Sequence, residues 1–275
     1  RTNLDTAAFF TGVLTIGVFD AQAGQYLGKW FNPQWKKTDD AEAKADRVWS
    51  AAEAQAIAAA VKGKPATVTE ESKPTTQASP LLFDLTSLQR EANARFGFSA
   101  RNTLAIAQAL YERHKALTYP RTDARALPED MIGTVREVLA QLPSEYQPFA
   151  GKILAQGWVK PNKRIFDNAK VSDHFAIVPT GVVPKGLSEP EQKIFDLVTR
   201  RFLAVFYPPA EYRVTTRITR VGEDAFKTEG KVLVAPGWLE VYGKRAAGEG
   251  EGELVPVAPG ETVHTEAVEI KDLHT

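Results

Sequence analysis

The chain has 275 residues, a formal net charge of zero and no cysteine, so disulfides and thiolate metal sites are excluded. With 43% hydrophobic and 25% charged residues, the composition is that of a globular protein with a substantial buried core. No apolar run approaches the roughly 20 residues that a membrane-spanning helix needs. We therefore expect a cytoplasmic setting and no membrane partner.

Residues 1–80 carry the pattern of a β-rich segment with one helix. Ser50 and Glu53 stand in capping-box positions before an alanine-rich run, which favours a helix that begins there. β-Branched and aromatic residues dominate the runs on both sides of a turn at 20–24 and favour paired strands. The patterns predict strands over 9–19, 25–31 and 66–70, a helix over 50–61 and a polar loop after residue 70.

The middle of the chain predicts a succession of helices. Thr86 and Gln89 form a second capping-box pattern at the start of the first of them. The next helix carries Leu104, Ala107 and Tyr111 on one face, which we expect to be buried as core. The chain is expected to turn helical at residue 85. The predicted helices run to about 96, from 99 or 100 towards the stretch at 117–123, from 128 to about 139, over 144–155, and from 188 to 205 or 206.

Strand patterns return after two prolines at 208 and 209. From Tyr212, apolar and charged side chains alternate with period two, which predicts a strand. Further strands are expected over 225–234, 237–242 and 262–270. This order predicts an α+β fold in which a helical module is inserted into a β module, with strands from both ends of the chain in one sheet. The expected division is a β-rich domain from 1–85 and 207–275, and a helical domain over 86–206.

One short stretch, residues 117–123 (LTYPRTD), combines chemistry with a defined backbone. Pro120 fixes its own φ and disfavours helix at Tyr119, so the phenol is expected in an extended segment after a helix. Arg121 follows two residues later and offers a planar cation that suits phosphate. The residues alone leave open a nucleophile beside a phosphate clamp, or a packed structural tyrosine with a surface arginine nearby.

Several other enzyme classes lack their sequence patterns in this chain. There is no G-x-x-x-x-G-K-[ST], G-x-G-x-x-G or G-x-S-x-G pattern, and no H-E-x-x-H or D-x-D pair that would hold a metal. We therefore expect no metal site in this chain. A tyrosine recombinase would need an H-x-x-R element, but neither His114 nor His174 is followed by arginine three residues later.

Four blocks that occur in order give the chain a family resemblance. They are 80–89 (PLLFDLTSLQ), 107–112 (AQALYE), 117–123 (LTYPRTD) and 173–180 (DHFAIVPT). Together they closely resemble the central region of type IA DNA topoisomerases, nearest the topoisomerase III branch. The resemblance is good from about 80 to 242 and faint over 1–75.

The resemblance implies a place for this chain within a toroidal enzyme of four domains. It implies a β-rich arch with an inserted helical domain, the gate portion of the toroid, with the toprim domain absent. We therefore expect a fragment that is inactive by itself, because in the family toprim carboxylates bind Mg²⁺ and complete the active site. No cofactor is expected in this chain itself.

The resemblance also implies roles for individual residues. Tyr119 would form a transient 5′-phosphotyrosyl bond with one DNA strand, while Arg121 holds the scissile phosphate and His174 donates a hydrogen bond to it. Asp123, which would tie Arg121 or His174 or cap a local turn, is a candidate DNA contact. Gln108 and Arg90 are further candidates, for which helix capping and a plain surface position are the alternatives.

The implied partners are single-stranded DNA and the remaining domains of the parent enzyme. Residues 87–205 hold 17 Lys and Arg against 12 Asp and Glu, a basic balance that suits a phosphate-bearing partner. The chain itself is expected to be monomeric, in a bacterial cytoplasm at the nucleoid. The alternative function is a non-catalytic module that binds single-stranded nucleic acid or a protein partner and keeps the tyrosine block only by descent.

Overall fold

The computed structural model describes residues 10–37, 44–248 and 250–274. Strands lie towards both ends of this part of the chain and helices lie in its middle. The strands are β1 Phe10–Ala21, β2 Gly24–Phe31, β3 Pro65–Gln77, β4 Ala210–Val221, β5 Asp224–Ala235 and β6 Val263–His274. The helices are α1 Ala51–Val61, α2 Leu85–Phe96, α3 Ala100–Glu112, α4 Ile132–Gln141, α5 Gln147–Ala155 and α6 Glu189–Ala204. Short 3₁₀ helices cover Glu129–Met131, Ser144–Tyr146, Asn168–Lys170 and Gly237–Tyr242.

The six described strands close into a barrel in the order β1-β2-β5-β4-β3-β6. β1 pairs antiparallel with β2, where Ile16 faces Lys29, and with β6, where Ile16 faces Glu269. Since β1 and β6 lie at opposite ends of the sequence, the expected sharing of one sheet by both ends is confirmed. The α+β fold class is confirmed with it. Position 9, the first of the expected strand over 9–19, lies outside the described residues.

Two paired glycines make room for the aromatic core of the barrel. Gly17 on β1 faces Gly28 on β2. A Cβ atom on Gly17 would lie 2.7 Å from the ring of Phe19, and one on Gly28 would lie 2.8 Å from the same ring. Phe19 is fully buried and packs on Tyr26 and Phe226, with ring centroids 5.4 and 5.1 Å apart. The two glycines inside these strands are therefore packing requirements.

A buried arginine lies on the inner face of β4. Arg217 is 1% exposed and Thr219 is fully buried, so this part of the predicted charged face points inward. Arg213, on the same predicted face, is exposed. The Arg217 guanidinium pairs with Glu70, donates to the carbonyl of Val255 and lies 4.3 Å from the ring centre of Tyr26. These partners compensate most of the cost of burying the cation.

The described residues form two compact units. A barrel unit takes those up to Thr75, together with Tyr212–Leu233 and those from Ala247 onward. A helical unit takes Thr76–Glu211 and Val234–Ala246. The unit boundaries thus fall at 75/76 and 211/212, whereas the sequence-based division was placed at 85/86 and 206/207. The 234–246 segment, expected in the β-rich part, belongs to the helical unit.

The strand expected over 237–242 is wrong, because this segment is a 3₁₀ helix, Gly237–Tyr242. Trp238 is 8% exposed and its Nε1 donates to the carbonyl of Gln77 at 2.9 Å. Val241 is fully buried, and its carbonyl accepts a hydrogen bond from Arg200 of α6 at 2.6 Å. Contacts with the helical unit therefore override the strand propensity of the sequence.

Two other element boundaries also differ from the expectation. β3 continues to Gln77 through residues expected to form a polar loop, although these side chains are exposed. The helix expected from 128 begins as the 3₁₀ turn Glu129–Met131 and becomes α-helical at Ile132.

Helix α6 begins with the capping box that the sequence predicts. The backbone N–H of Ser188 donates to Glu191 Oε2 at 2.8 Å, and the Ser188 side chain caps the third residue of the helix in return. Glu191 is only 5% exposed. The backbone N–H of Ser188 is the main cause that lowers the pKa of Glu191 to about 2, helped by the Ser188 hydroxyl, His114 and Arg113 against the effect of burial.

Glu191 is therefore expected to make the stability of the protein depend on acid pH. Its folded-state pKa of about 2 lies below the reference value of 4.5, so its contribution is complete above pH 4.5 and is lost as the pH falls towards 2. Glu191→Gln should cost about 1–2 kcal/mol at pH 7 and flatten the pH dependence in that window. Urea unfolding at pH 7 and pH 3 measures both effects. Glu137→Gln, an exposed change on α4 at a side chain without a hydrogen bond or ion pair among the described residues, is the control. An unchanged pH dependence in Glu191→Gln would contradict the assignment.

Candidate active site

The stretch 117–123 pairs with the block that carries His174. The backbone N–H of Thr118 donates to the carbonyl of Val178 at 3.0 Å, and the Thr118 hydroxyl donates to the carbonyl of Ala176 at 3.0 Å. The N–H of Val178 donates back to the Thr118 hydroxyl at 2.9 Å. An antiparallel bridge joins Leu117 to Pro179. These bonds fix the backbone on the N-terminal side of Tyr119.

The block before α2 holds the other side of the stretch. The N–H of Leu85, the first residue of α2, donates to the carbonyl of Thr122 at 3.0 Å. The N–H of Ile177 donates to the carbonyl of Phe83 at 2.8 Å, so the same block also binds the His174 segment. Asp84 caps α2 by accepting from the N–H of Ser87 at 2.7 Å. The helix begins at Leu85, where the sequence predicts that the chain turns helical, but Asp84 rather than Thr86 is its cap.

Thr122 links the two segments directly. Its hydroxyl donates to the carbonyl of His174 at 3.3 Å and accepts from the N–H of Ala124 at 3.1 Å. Thr122 is 7% exposed. Hydrogen bonds thus join three of the four sequence blocks around Tyr119. They involve backbone groups and the hydroxyls of Thr118 and Thr122.

Tyr119 lies outside any helix, as its position before Pro120 predicts, and is half-buried. Its ring lies between two others: the His174 ring at a centroid distance of 4.3 Å and the Tyr111 ring at 5.4 Å with a 77° angle. Pro120 is buried beneath this segment. No hydrogen bond to the Tyr119 hydroxyl occurs among the described residues, so the oxygen is available to a ligand.

Arg121 is exposed and makes no hydrogen bond or ion pair with any residue that the structure describes. Asp123 is exposed as well, and within the same residues it contacts neither Arg121 nor His174. The expected tie between Asp123 and these residues is therefore not present. A guanidinium without a partner among the described residues, two positions from the phenol, is suited to bind an anion.

His174 is exposed, and its imidazole ring contacts the ring of Tyr119. Within the described part of the chain, its ring nitrogens have no hydrogen-bond partner. Its imidazole is therefore neither buried nor hydrogen-bonded within those residues. Tyr119 and Arg121 lie on one segment and His174 on the segment hydrogen-bonded to it, and together they offer an oxygen nucleophile, a permanent cation and an imidazole.

The other two candidate DNA contacts lie on neighbouring helices. Gln108 on α3 donates through Nε2 to Glu112 at 2.6 Å, and its Oε1 is buried without a partner in the described residues. Arg90 on α2 is exposed and makes no contact with the described residues. The structure brings neither into contact with Tyr119, and their DNA role stays a prediction.

Sequence reasoning misassigned the face of α3 that meets the site. The buried residues of this helix are Thr103, Ile106, Ala107 and Leu110. Leu104 and Tyr111, expected as core, are only half-buried. Tyr111 instead packs edge-on against the ring of Tyr119. The sequence did contain one indication of this contact, because Tyr111 lies in the last turn of the helix that precedes the stretch at 117–123.

Among the described residues, no group of three or more His, Asp or Glu side chains is placed to hold a metal ion. The residues present therefore do not fit the Mg²⁺ that the family resemblance implies. In the same part of the chain, no helix is both long and apolar enough to cross a membrane.

Comparisons with known proteins agree with the four blocks. The family model described as DNA topoisomerase matches residues 20–275. DNA topoisomerase 3 of Bacillus cereus strain ATCC 14579 is 50% identical over 184 residues, which cover 66% of this chain and 25% of that protein. DNA topoisomerase 3 of Bacillus licheniformis is 41% identical over 225 residues, covering 79% of this chain and 31% of that protein.

A solved structure shows a similar fold. Full-length topoisomerase I from Thermotoga maritima superposes with a TM-score of 0.60 over 96% of this chain and 41% of that chain. Its sequence is 21% identical, so the likeness shows the fold alone. The chain spans 25% and 31% of the length of the two Bacillus relatives.

Proposed function

The chain belongs to the DNA topoisomerase family as a type IA, topoisomerase III-like member, and on that premise we propose that it carries the nucleophilic half of a strand-cleaving active site. In the complete enzyme it would cleave and rejoin one DNA strand through a 5′-phosphotyrosyl intermediate. Strand passage through the break would then relax negative supercoils and separate linked DNA circles.

The observation that supports this proposal is the setting of Tyr119. The ring lies 4.3 Å from that of His174, its hydroxyl is unpartnered among the described residues, and Arg121 is free two positions later. Tyr119 Oη would lose its proton, attack the phosphorus and form a P–O bond. The bond to the 3′ oxygen breaks and that oxygen takes up one proton, so no net proton is released. Reversal of the same step reseals the strand without ATP, because the phosphodiester energy is kept in the new ester.

Arg121 and His174 would act on the phosphate rather than on the phenol. The planar guanidinium suits two non-bridging phosphate oxygens, whose charge grows as the phosphorus becomes five-coordinate. The imidazole of His174 would donate a hydrogen bond to the same phosphate. Both groups are exposed and have no hydrogen bond or ion pair among the described residues, so binding a phosphate replaces no existing polar contact of theirs.

The proposed partners follow from this chemistry. Single-stranded DNA would bind through its backbone, with an affinity that falls steeply as salt rises. We propose that the toprim domain of the complete enzyme binds Mg²⁺, and that this chain alone is monomeric and cleaves DNA poorly. The complete enzyme would act on DNA in the bacterial cytoplasm, at the nucleoid.

Formation of the covalent adduct is tested by combining the chain with the remaining domains of a related enzyme. The chain is mixed with the remaining domains of Bacillus cereus DNA topoisomerase 3, Mg²⁺ and a 3′-labelled single-stranded oligonucleotide, and run on a denaturing gel. A labelled band that migrates with the protein supports the proposal. Binding of the oligonucleotide without any adduct, under every metal condition tried, would favour the alternative of a non-catalytic binding module.

Arg121→Ala is expected to slow adduct formation by about 10²–10³-fold, because it removes a cation from the charged transition state. The melting temperature should stay unchanged, since Arg121 is exposed and contacts no described residue. Adduct rates and circular dichroism melting measure the two effects. Arg101→Ala, an exposed arginine at the start of α3, is the matched control. Loss of the folded state in Arg121→Ala would instead make the residue structural.

A further inference from the structure

Lys115 has an unusual backbone conformation next to the candidate nucleophile. Its φ is +56°, and it is the one non-glycine residue with a positive φ in the described part of the chain. This left-handed region follows the end of α3, where glycine is the favoured residue because it has no Cβ. A lysine at such a position carries strain that a glycine would not.

The strained backbone is fixed on both sides. The carbonyl of Lys115 accepts from the hydroxyl of Thr180 at 2.6 Å. The N–H of Ala116 donates to the carbonyl of Leu110 at 2.9 Å, and the carbonyl of Ala116 accepts from the N–H of Thr180 at 3.0 Å. Lys115 is thus held to the segment that carries His174, and its side chain starts from a defined point.

The lysine charge is directed towards the aromatic rings of the site. Lys115 Nζ lies 5.9 Å from the ring centre of Tyr111, whose ring is 5.4 Å from that of Tyr119. The two distances place Nζ within about 11 Å of the centre of the Tyr119 ring, a span of about three stacked nucleotides. His174 contacts the Tyr119 ring directly, whereas Lys115 approaches it through the ring of Tyr111.

The charge of Lys115 has no counterion in the described structure. Lys115 is exposed, and no carboxylate among the described residues pairs with it. The adjacent Glu112 accepts a hydrogen bond from Gln108 instead. An exposed, uncompensated cation at a fixed place beside a phosphate-processing tyrosine is a place for a further phosphate.

We propose that Lys115 is a positioning residue that binds a backbone phosphate one to three nucleotides from the scissile one, and so aligns the DNA strand across Tyr119. This inference rests on the proposed function. Because that phosphate does not react, Lys115 should contribute equally to ground-state and transition-state binding. Its loss should then raise KM and leave kcat nearly unchanged.

Salt dependence of binding separates this role from a structural one. Binding of a single-stranded oligonucleotide to the 275-residue chain is measured by fluorescence anisotropy over a range of salt concentrations. One lost phosphate contact lowers the slope of log K against log salt by about 0.7 for single-stranded DNA. We expect that decrease in Lys115→Ala and in Lys115→Gly, and a wild-type slope in Lys115→Arg. Lys160→Ala, another exposed lysine of the helical unit, should keep the wild-type slope.

Lys115→Gly keeps the test decisive even if the alanine variant folds poorly. Glycine removes the strain of the positive φ, so this variant should melt no lower than wild type while still losing the phosphate contact. Adduct formation with the remaining domains should show a raised KM at nearly constant kcat. Unchanged salt slopes in both Lys115 variants, with normal DNA binding by wild type, would overturn the inference alone. Failure of wild type to bind DNA or to form an adduct would instead overturn the proposed function.

Discussion

Replacement of Tyr119 by phenylalanine should abolish the covalent DNA adduct and leave the fold unchanged. The change removes only the hydroxyl oxygen, which has no hydrogen-bond partner among the described residues. The ring contacts with His174 and Tyr111 remain possible for phenylalanine. With no other oxygen at that position to form the ester, the adduct should fall by at least about 10³-fold.

A denaturing gel with the 3′-labelled oligonucleotide measures this loss, and thermal melting checks the fold. Tyr212→Phe, the same chemical change on β4, should keep the wild-type adduct. An adduct that persists at the wild-type rate in Tyr119→Phe would contradict the assignment. The neighbouring phenol of Tyr111, with its ring 5.4 Å away, would then be the next oxygen to examine.

Arg201→Ala should give the largest loss of stability among the changes considered. Arg201 on α6 is 5% exposed, pairs with Glu91 of α2 and donates to the carbonyl of Leu81 at 3.0 Å. Its guanidinium also lies 4.0 Å from the ring centre of Phe83. This one side chain therefore ties two helices to the segment whose Phe83 carbonyl binds the His174 block.

The expected cost of Arg201→Ala is about 3 kcal/mol, at the lower end of the range for a broken buried ion pair. Two facts keep it there: Glu91 retains its pair with Arg95, and the change removes an Arg201 Nε that is buried without a described partner. Urea unfolding measures the loss. Arg201→Leu should lose less free energy of unfolding, because the leucine side chain can still pack on Phe83. Equal stability of Arg201→Ala and wild type would show that Arg201 does not stabilise the contact between these elements.

Local sequence signals located most of the helices correctly because capping is local chemistry. Ser50 and Ser99 each accept a hydrogen bond from a residue three positions on, and Ser188 forms the full capping box. Short apolar patterns were less reliable. The segment Gly237–Tyr242 has strand-like composition, but burial of Trp238 in the helical unit makes it a 3₁₀ helix.

The candidate site was predictable in its reactive residues and not in its contacts. The blocks identify Tyr119, Arg121 and His174, whose side chains all reach the surface of one segment. The edge-on contact of Tyr111 depends on how α3 meets that segment, and this follows from backbone hydrogen bonds between distant blocks. Periodicity in the sequence reports which face of an element is apolar, so it does not report such pairings. The positive φ of Lys115 could not be predicted either, because lysine rarely adopts this conformation.

In the proposed reaction, the Tyr119 oxygen becomes bonded to the 5′ end of a cleaved strand. The adduct formed with the remaining domains is digested with trypsin, which cuts after Lys115 and Arg121, and the DNA-linked peptide is sequenced by mass spectrometry. We expect the 5′ phosphate to stay on residues 116–121, at Tyr119. A phosphate on any other peptide, or a protein bonded to the 3′ end of the cleaved strand, would contradict this assignment.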